Sequence, residues 1–387
     1  MDYSTTAMSL TPSATLQLSA KAGELSRAGR DIISLSAGQP DFPTPVPIAE
    51  ACIDAIREGK TGYTASTGIP ELKEAVAAQY SIRRNVNWSA SNVLVGCGAK
   101  HNLANLVRAA INPGDKVLLP MPFWVSYPEM VKASGGIPIF PAERMNGSEI
   151  RKAAGEGAVG VLLNYPSNPT GFVPSVSFLR EIAEAIAETD MWVISDDIYE
   201  DLAYIDSGVP HILDSHPFLQ ERTAVVSGVS KTYAMTGFRI GYSLACSEWT
   251  RLAGILQAHS TSNPCSISQW AALAAVEGKA TREKEEMHRS FHTRRDLVCE
   301  ILDGIDGLEF RKPNGAFYVF PRLLTDPQKA DTNRFCSELL FDEGVAVIPG
   351  SAFGAEEYIR ISFAASEDDI RRGMHRLREF LYRRLNT

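Results

Sequence analysis

The chain has 387 residues, more than the ~250–300 over which one hydrophobic core usually grows, so two domains are expected. Its 44% hydrophobic and 22% charged residues are average for a soluble globular protein and exclude a disordered, collagen-like or low-complexity chain. Thirty-eight basic against 46 acidic side chains leave a net charge of −8. The longest basic cluster, Arg371 to Arg384, alternates with Met374, Leu377, Phe380 and Leu381. That spacing reads as the wet face of an amphipathic helix, so no nucleic-acid partner is expected. No run reaches the ~18 apolar residues of a membrane span, and no export signal is evident at Met1–Thr6. Six scattered cysteines, without a CxxC pair or a zinc-ligand histidine, suggest reduced thiols and a cytoplasmic location, with no metal.

Along the chain, short apolar runs alternate with helical patterns from about residue 90 to residue 245. Strands are predicted at Val93–Val95, Lys116–Leu119, Ile137–Phe140, Val159–Leu163, Trp192–Ser195, Ala224–Ser227 and Ile240–Leu244. Between two of them, Ser177–Ala187 carries Phe178, Ile182, Ala185 and Ile186 on one helical face. Buried strands alternating with helices imply a mainly parallel seven-stranded sheet covered on both sides, with ligands gathering at the carboxyl ends of the strands. From Thr281 the pattern changes to a long charged helix ending near Asp303. Shorter strands follow at Gly315–Phe320, Val345–Ile348 and Tyr358–Phe363, then a last helix from Ser366. The α/β chain thus divides into a large domain, 46–285, and a smaller α/β domain formed by 1–45 and 286–387.

One segment stands out chemically: Ser227-Gly228-Val229-Ser230-Lys231-Thr232-Tyr233-Ala234-Met235-Thr236-Gly237-Phe238-Arg239-Ile240-Gly241. A lysine lies just past a buried strand among hydroxyls and small residues, with an arginine eight positions on. A desolvated amine there can act as a nucleophile toward carbonyls, and a nearby guanidinium can hold a phosphate. A lone loop lysine is most often a solvated surface charge. No GxGxxG follows a first strand with an acidic residue ~20 positions on, which argues against a nucleotide-binding dehydrogenase.

This string resembles the Schiff-base motif of class I pyridoxal-phosphate (PLP) aminotransferases of fold type I, and the resemblance runs from Ser34 to Phe363. It implies that Lys231 bonds the cofactor and later shuttles a proton. Asp196, in Ile194-Ser195-Asp196-Asp197-Ile198-Tyr199, resembles the aspartate that pairs with the pyridine nitrogen, with Asp197 as the alternative; Tyr199 matches the tyrosine bonded to the cofactor's 3′-oxygen. Asn168, in the turn Asn164-Tyr165-Pro166-Ser167-Asn168-Pro169-Thr170-Gly171, matches the asparagine shared by that oxygen and the substrate carboxylate. Gly98, Ala99 and Lys100 open a helix and correspond to a phosphate cup, helped by Arg239 and Ser230, with Ser227 as the other possible serine. Trp124, otherwise an ordinary core tryptophan, resembles the aromatic stacked on the cofactor ring. Tyr63 matches a tyrosine reaching the neighbouring subunit's phosphate, which implies a homodimer. Arg360, in Tyr358-Ile359-Arg360-Ile361-Ser362-Phe363, would grip the substrate α-carboxylate, with the Gly38 N–H beside it. Alternation in this strand predicts Ile359, Ile361 and Phe363 on the core face and Arg360 on the opposite one.

The resemblance is closest to bacterial aspartate aminotransferases, in which a lysine at the Lys100 position holds a distal carboxylate and the segment Pro12-Ser13-Ala14-Thr15 adds hydroxyls. L-Aspartate and 2-oxoglutarate are therefore the expected substrates of a ping-pong transamination. Phe123 in place of a tyrosine, and His101-Asn102 in place of Gln-Ala, leave aromatic or specialised amino acids open. A PLP β-lyase or synthase on the same fold remains the alternative reaction.

Overall fold

In the computed structural model, residues 1–142, 145–324 and 331–385 are described. Seven strands form the central sheet: β1 (Val93–Gly96), β2 (Lys116–Leu118), β3 (Ile137–Ile139), β4 (Ala158–Asn164), β5 (Trp192–Asp196), β6 (Thr223–Gly228) and β7 (Gly241–Leu244). Their spatial order is β1-β7-β6-β5-β4-β2-β3. All neighbours are parallel except at β7, which runs antiparallel to both β1 and β6. The predicted α/β fold, with seven strands and a mainly parallel sheet, is the observed one.

The strands are apolar throughout because both faces are covered. Val161, Leu163, Val193 and Val225 join one core with the helix α3 (Val176–Ala187), while Leu162, Ile194, Ala224 and Val226 pack into another. Ser175 caps α3 by accepting a hydrogen bond from the Phe178 N–H, and Leu179, Ile182, Ala183 and Ile186 form its buried face. Parallel register carries the sheet's chemistry to one edge. Asn164 lies opposite Asp196, and Asp196 opposite Val226, so the polar ends of β4 and β5 emerge side by side.

The later part of the chain builds a separate core. The helix α4 (Thr281–Asp303) contributes Met287, Phe291, Val298 and Leu302 to it, and the helix α5 (Glu367–Leu385) contributes Ile370, Met374 and Leu377. Between them lies an antiparallel sheet of β8 (Tyr318–Val319), β9 (Ile348–Pro349) and β10 (Ile359–Ser362), in the order β8-β10-β9. The run predicted as one strand, Val345–Ile348, is split. Val345–Ala346 pairs in parallel with Ile33–Ser34, and Ile348–Pro349 joins β10, because its two ends find partners on different sheets. No helix among the described residues is long and apolar enough to cross a membrane.

Backbone packs on backbone where β7 meets the helix α2 (Ala99–Ala110). A methyl group at Gly241 would lie 2.2 Å from the Ala99 nitrogen and 2.6 Å from the Gly98 carbonyl carbon. Gly241→Ala should therefore lower stability by about 1–3 kcal/mol, because neither backbone can rotate away. Urea unfolding checks this, and an unchanged midpoint would mean that strand and helix tip have room to spare.

Candidate active site

Four chain segments converge at the carboxyl ends of β4, β5 and β6. At the end of β5, Asp196 is buried, and its carboxylate accepts hydrogen bonds from the Tyr127 hydroxyl (2.7 Å) and the Ile198 N–H (3.3 Å). Burial pushes its pKa up to about 6, against the pull of those two donors and of the Lys231 charge. It has no ion-pair partner among the described residues, so the carboxylate is desolvated without a counter-ion. Its neighbour Asp197 points elsewhere: it accepts from the Ser195 hydroxyl (2.6 Å) and from the Arg84 guanidinium (3.0 Å).

Lys231 follows β6 by three residues and donates from Nζ to the Gly38 carbonyl at 2.5 Å. Its pKa is lowered to about 8, first by burial and then by the charges of Arg239 and Arg360, with Asp196 opposing. Arg239 holds the left-handed conformation (φ +54°) between the turn Thr236–Phe238 and β7. That rare backbone for a non-glycine residue aims its guanidinium at the Thr236 and Cys97 carbonyls, beside Gly98.

Gly98 itself (φ +89°) begins the turn into α2, and a Cβ there would lie 2.6 Å from the Arg239 guanidinium. The first-turn N–H groups of α2, from Ala99 and Lys100, lack intrahelical acceptors and open beside Arg239. Ser230 makes no hydrogen bond among the described residues, whereas the Ser227 hydroxyl donates to the Asp197 carbonyl at 3.4 Å. Lys100 has its Nζ 4.8 Å from the centre of the Trp124 ring, and its pKa is lowered by partial desolvation of the amine there and by Arg239. Trp124 in turn meets Tyr127 edge to face, with ring centres 5.3 Å apart.

On the far side lies Arg360, 3% exposed. It donates to the Asn168 side-chain oxygen (2.9 Å) and the Ser36 carbonyl (2.9 Å), while its Nε has no partner among the described residues. No carboxylate among the described residues lies within ion-pair distance of it, and burial pulls its pKa down. Asn168 is positioned from behind by its N–H on the Asn164 side-chain oxygen (2.9 Å), and Asn164 donates to the Asp196 carbonyl (2.8 Å). A continuous hydrogen-bonded chain thus runs from Asp196 through Asn164 and Asn168 to Arg360.

The structure gathers Gly38, Lys231, Arg239, Gly98, Ala99, Lys100 and Trp124 on one side, and Asp196, Tyr199, Asn168 and Arg360 on the other. Tyr63 stands apart, 95% exposed on the single chain. Ile359, Ile361 and Phe363 lie in the core built by the later part of the chain, while Arg360 turns to Asn168 and Ser36, and this other face of β10 is buried too. Ser13 serves as a helix cap, accepting from the Leu16 N–H and bonding the Thr15 hydroxyl at 2.8 Å. Tyr127, Asn164, Tyr318 and Arg84 were not singled out from sequence. For the first two, position was the available signal: each sits within three or four residues of a predicted site residue just past a strand.

Residues 30–377 match the family described as aminotransferase class I and II. The aspartate aminotransferase of Bacillus sp. (strain YM-2) is 39% identical over 383 residues, covering 96% of this chain and 97% of that protein. The aspartate/prephenate aminotransferase of Cereibacter sphaeroides is 40% identical over 388 residues, covering 95% and 96%. Among solved structures, the aspartate aminotransferase of Rhizobium meliloti superposes with a TM-score of 0.93 at 36% identity, over 99% of both chains. That of Thermus thermophilus, solved with maleate, gives 0.92 at 36% identity over 98% of this chain and all of that one. The chain belongs to the class I and II aminotransferases. It is an enzyme that transfers amino groups by transamination, with pyridoxal phosphate as its cofactor.

Only the neutral amine of Lys231 is nucleophilic. With its pKa near 8, reductive alkylation of the apoprotein by a small aldehyde should label Lys231 half-maximally near pH 8. Ordinary surface lysines stay charged to about pH 10 and should lag behind. Peptide mass spectrometry reads the profile; labelling of Lys231 that still climbs above pH 10 would rule out the lowered pKa.

Proposed function

We propose that this aminotransferase moves the amino group of L-aspartate to 2-oxoglutarate in two half-reactions, using the site assembled around Lys231. The observation that carries the reading is Arg360: a buried guanidinium with neither an acidic partner nor an Nε hydrogen bond among the described residues suits a carboxylate. The buried, unpaired Asp196 makes the complementary case for a protonated ring nitrogen, and Arg239, Ser230 and the first-turn N–H groups of Ala99 and Lys100 suit a phosphate. Asp197 is already matched by Arg84, which favours Asp196 for the nitrogen.

Bound between these groups, pyridoxal phosphate supplies an electron sink for the charge left when the substrate loses its Cα proton. The chain's own groups do the rest. Lys231 takes that proton at Nζ and returns it, work suited to an amine whose pKa lies near 8. Asp196 keeps the ring nitrogen protonated, and Tyr199 donates to the ring's 3′-oxygen. Trp124 covers the ring and excludes water, while Asn168 and Arg360 orient the carboxylate with the Gly38 N–H. Lys100, beside Trp124, offers a distal carboxylate its counter-charge. Four relatives and neighbours carrying the name aspartate aminotransferase support this substrate. Tyr63, together with the exposed Val46, Ile53 and Ile56, supports a homodimer in which Tyr63 reaches the other subunit's phosphate. Six unpaired cysteines suit the cytoplasm.

A second reading, transfer from aromatic amino acids, is favoured by a cavity of about 910 Å³ that shares Trp124, Tyr127 and Asn168 with the site. Phe123, Phe172, Phe178, Phe310 and Phe320 line it. A further group of relatives is named aspartate/prephenate aminotransferase, and one related structure contains tryptophan in an engineered variant.

Absorbance titration of the PLP-loaded protein with single amino acids decides between them. Aspartate and glutamate should each convert the cofactor to its aminated form; conversion by tyrosine or phenylalanine but not aspartate would overturn the favoured substrate. Release of ammonia and pyruvate would instead mark a lyase. Arg360→Lys should reduce kcat/KM for every amino acid by about 10²-fold, since a point charge loses the bidentate fork. Steady-state kinetics check this, and a loss under threefold would move the α-carboxylate to another group. Lys100→Ala should cost dicarboxylic substrates about tenfold more than aromatic ones, and equal losses would remove Lys100 from substrate binding.

A further inference from the structure

Tyr318 occupies the junction between the two halves of this site. It lies on β8, opposite Ser362 of the strand that carries Arg360, and is 1% exposed. Its ring faces the Arg360 guanidinium, 4.2 Å from the ring centre. Its hydroxyl is 3.0 Å from the Tyr199 hydroxyl, the rings meeting edge to face at 5.9 Å. The same hydroxyl abuts Gly38, where an added Cβ would come within 3.4 Å. Thus one buried side chain touches three elements of the site.

The two hydroxyls share a single hydrogen bond, and its direction matters. If Tyr199 donated to Tyr318, its only proton would be spent away from the site. If Tyr318 donates, the Tyr199 proton is free to point inward. The hydroxyl of Tyr318 has no other hydrogen-bond partner among the described residues, and the Arg360 cation over its ring makes it the better donor.

We propose that Tyr318 is a positioning residue with two separable duties: its hydroxyl donates to Tyr199 and so turns the Tyr199 proton toward the cofactor's 3′-oxygen, and its ring fixes the plane of the Arg360 fork. This rests on the roles proposed above for Tyr199 and Arg360. A proton donated to the 3′-oxygen stabilises the form in which that oxygen carries the charge alone, so losing the donor raises the pH at which the bound cofactor's absorbance changes. Without the Tyr318 hydroxyl, Tyr199 donates for only part of the time and the shift is smaller.

The test uses Tyr318→Phe, Tyr199→Phe, the double variant and Tyr318→Leu in the PLP-loaded enzyme. Near-ultraviolet circular dichroism verifies the fold. Tyr199→Phe should raise the midpoint pH of the absorbance change by about one unit or more, and Tyr318→Phe by about half that, with KM within twofold and kcat down about three- to tenfold. The double variant should match Tyr199→Phe alone, because Tyr318 acts through Tyr199. Tyr318→Leu should add a roughly five- to thirtyfold rise in KM as the ring leaves Arg360. A shift in Tyr199→Phe with none in Tyr318→Phe, or additive shifts, would overturn the hydroxyl's role while leaving the proposed site intact. An unchanged KM in Tyr318→Leu would overturn the ring's role. No shift in Tyr199→Phe would sink the reading of Tyr199 and this inference with it.

Discussion

Two opposite charges, Asp196 and Arg360, are buried without direct counter-ions among the described residues, and the surrounding structure keeps them apart. Either alone in a protein interior is expensive. Here the cost is met by neutral donors and acceptors: Tyr127 and the Ile198 N–H on the carboxylate, Asn168 and the Ser36 carbonyl on the guanidinium. None of these cancels the charge, so both remain available to a ligand. Asn164 and Asn168 span the gap between the two ends. The spacing follows from the parallel register that sets Asn164 beside Asp196, and from the antiparallel sheet that carries Arg360 in from the other side.

Behind this arrangement lies a second set of charges, paired with one another. Arg84, at the end of the helix α1 (Pro70–Arg84), pairs with both Asp197 and Glu200, while Arg83 binds Glu200 and Asp201 and Lys284 binds Asp201. Tyr80 adds a hydrogen bond to Glu200, and His211 packs toward Asp197 with its pKa held low by burial and by Arg84. These partners all grip the turn from Asp197 to Asp201, the segment that sets the directions of Asp196 and Tyr199. The contrast is functional: the charges that hold the turn form ion pairs, and among the described residues the two that face the site do not.

Much of this was legible in the sequence. Each predicted strand of the central sheet lies within two residues of an observed one, because strands covered on both faces need unbroken apolar runs, which leave a local trace. The residues at or just past the ends of those runs, Asp196 and Lys231, were legible for the same reason. At β10 alternation separated Arg360 from the core residues Ile359, Ile361 and Phe363, but it carried no sign that the face of Arg360 is buried as well. Ser13 and Thr15, expected to add hydroxyls, are bonded to each other at a helix start, a contact the sequence did not announce.

The sequence by itself determined the parallel sheet, the order of the motifs and the kinds of group at the strand ends, since each depends on neighbours a few residues apart. Only the tertiary structure decided which groups meet. The Arg360 contact with Asn168 joins residues 192 apart, Tyr199 meets Tyr318 across 119, and Arg84 reaches Asp197 across 113. A side chain carries no local mark of a partner so distant. Its burial, its charge state and the direction of its hydrogen bonds are set where separate elements pack together, and there Arg360 becomes a buried cation awaiting a carboxylate and Tyr318 the link between the two halves of the site.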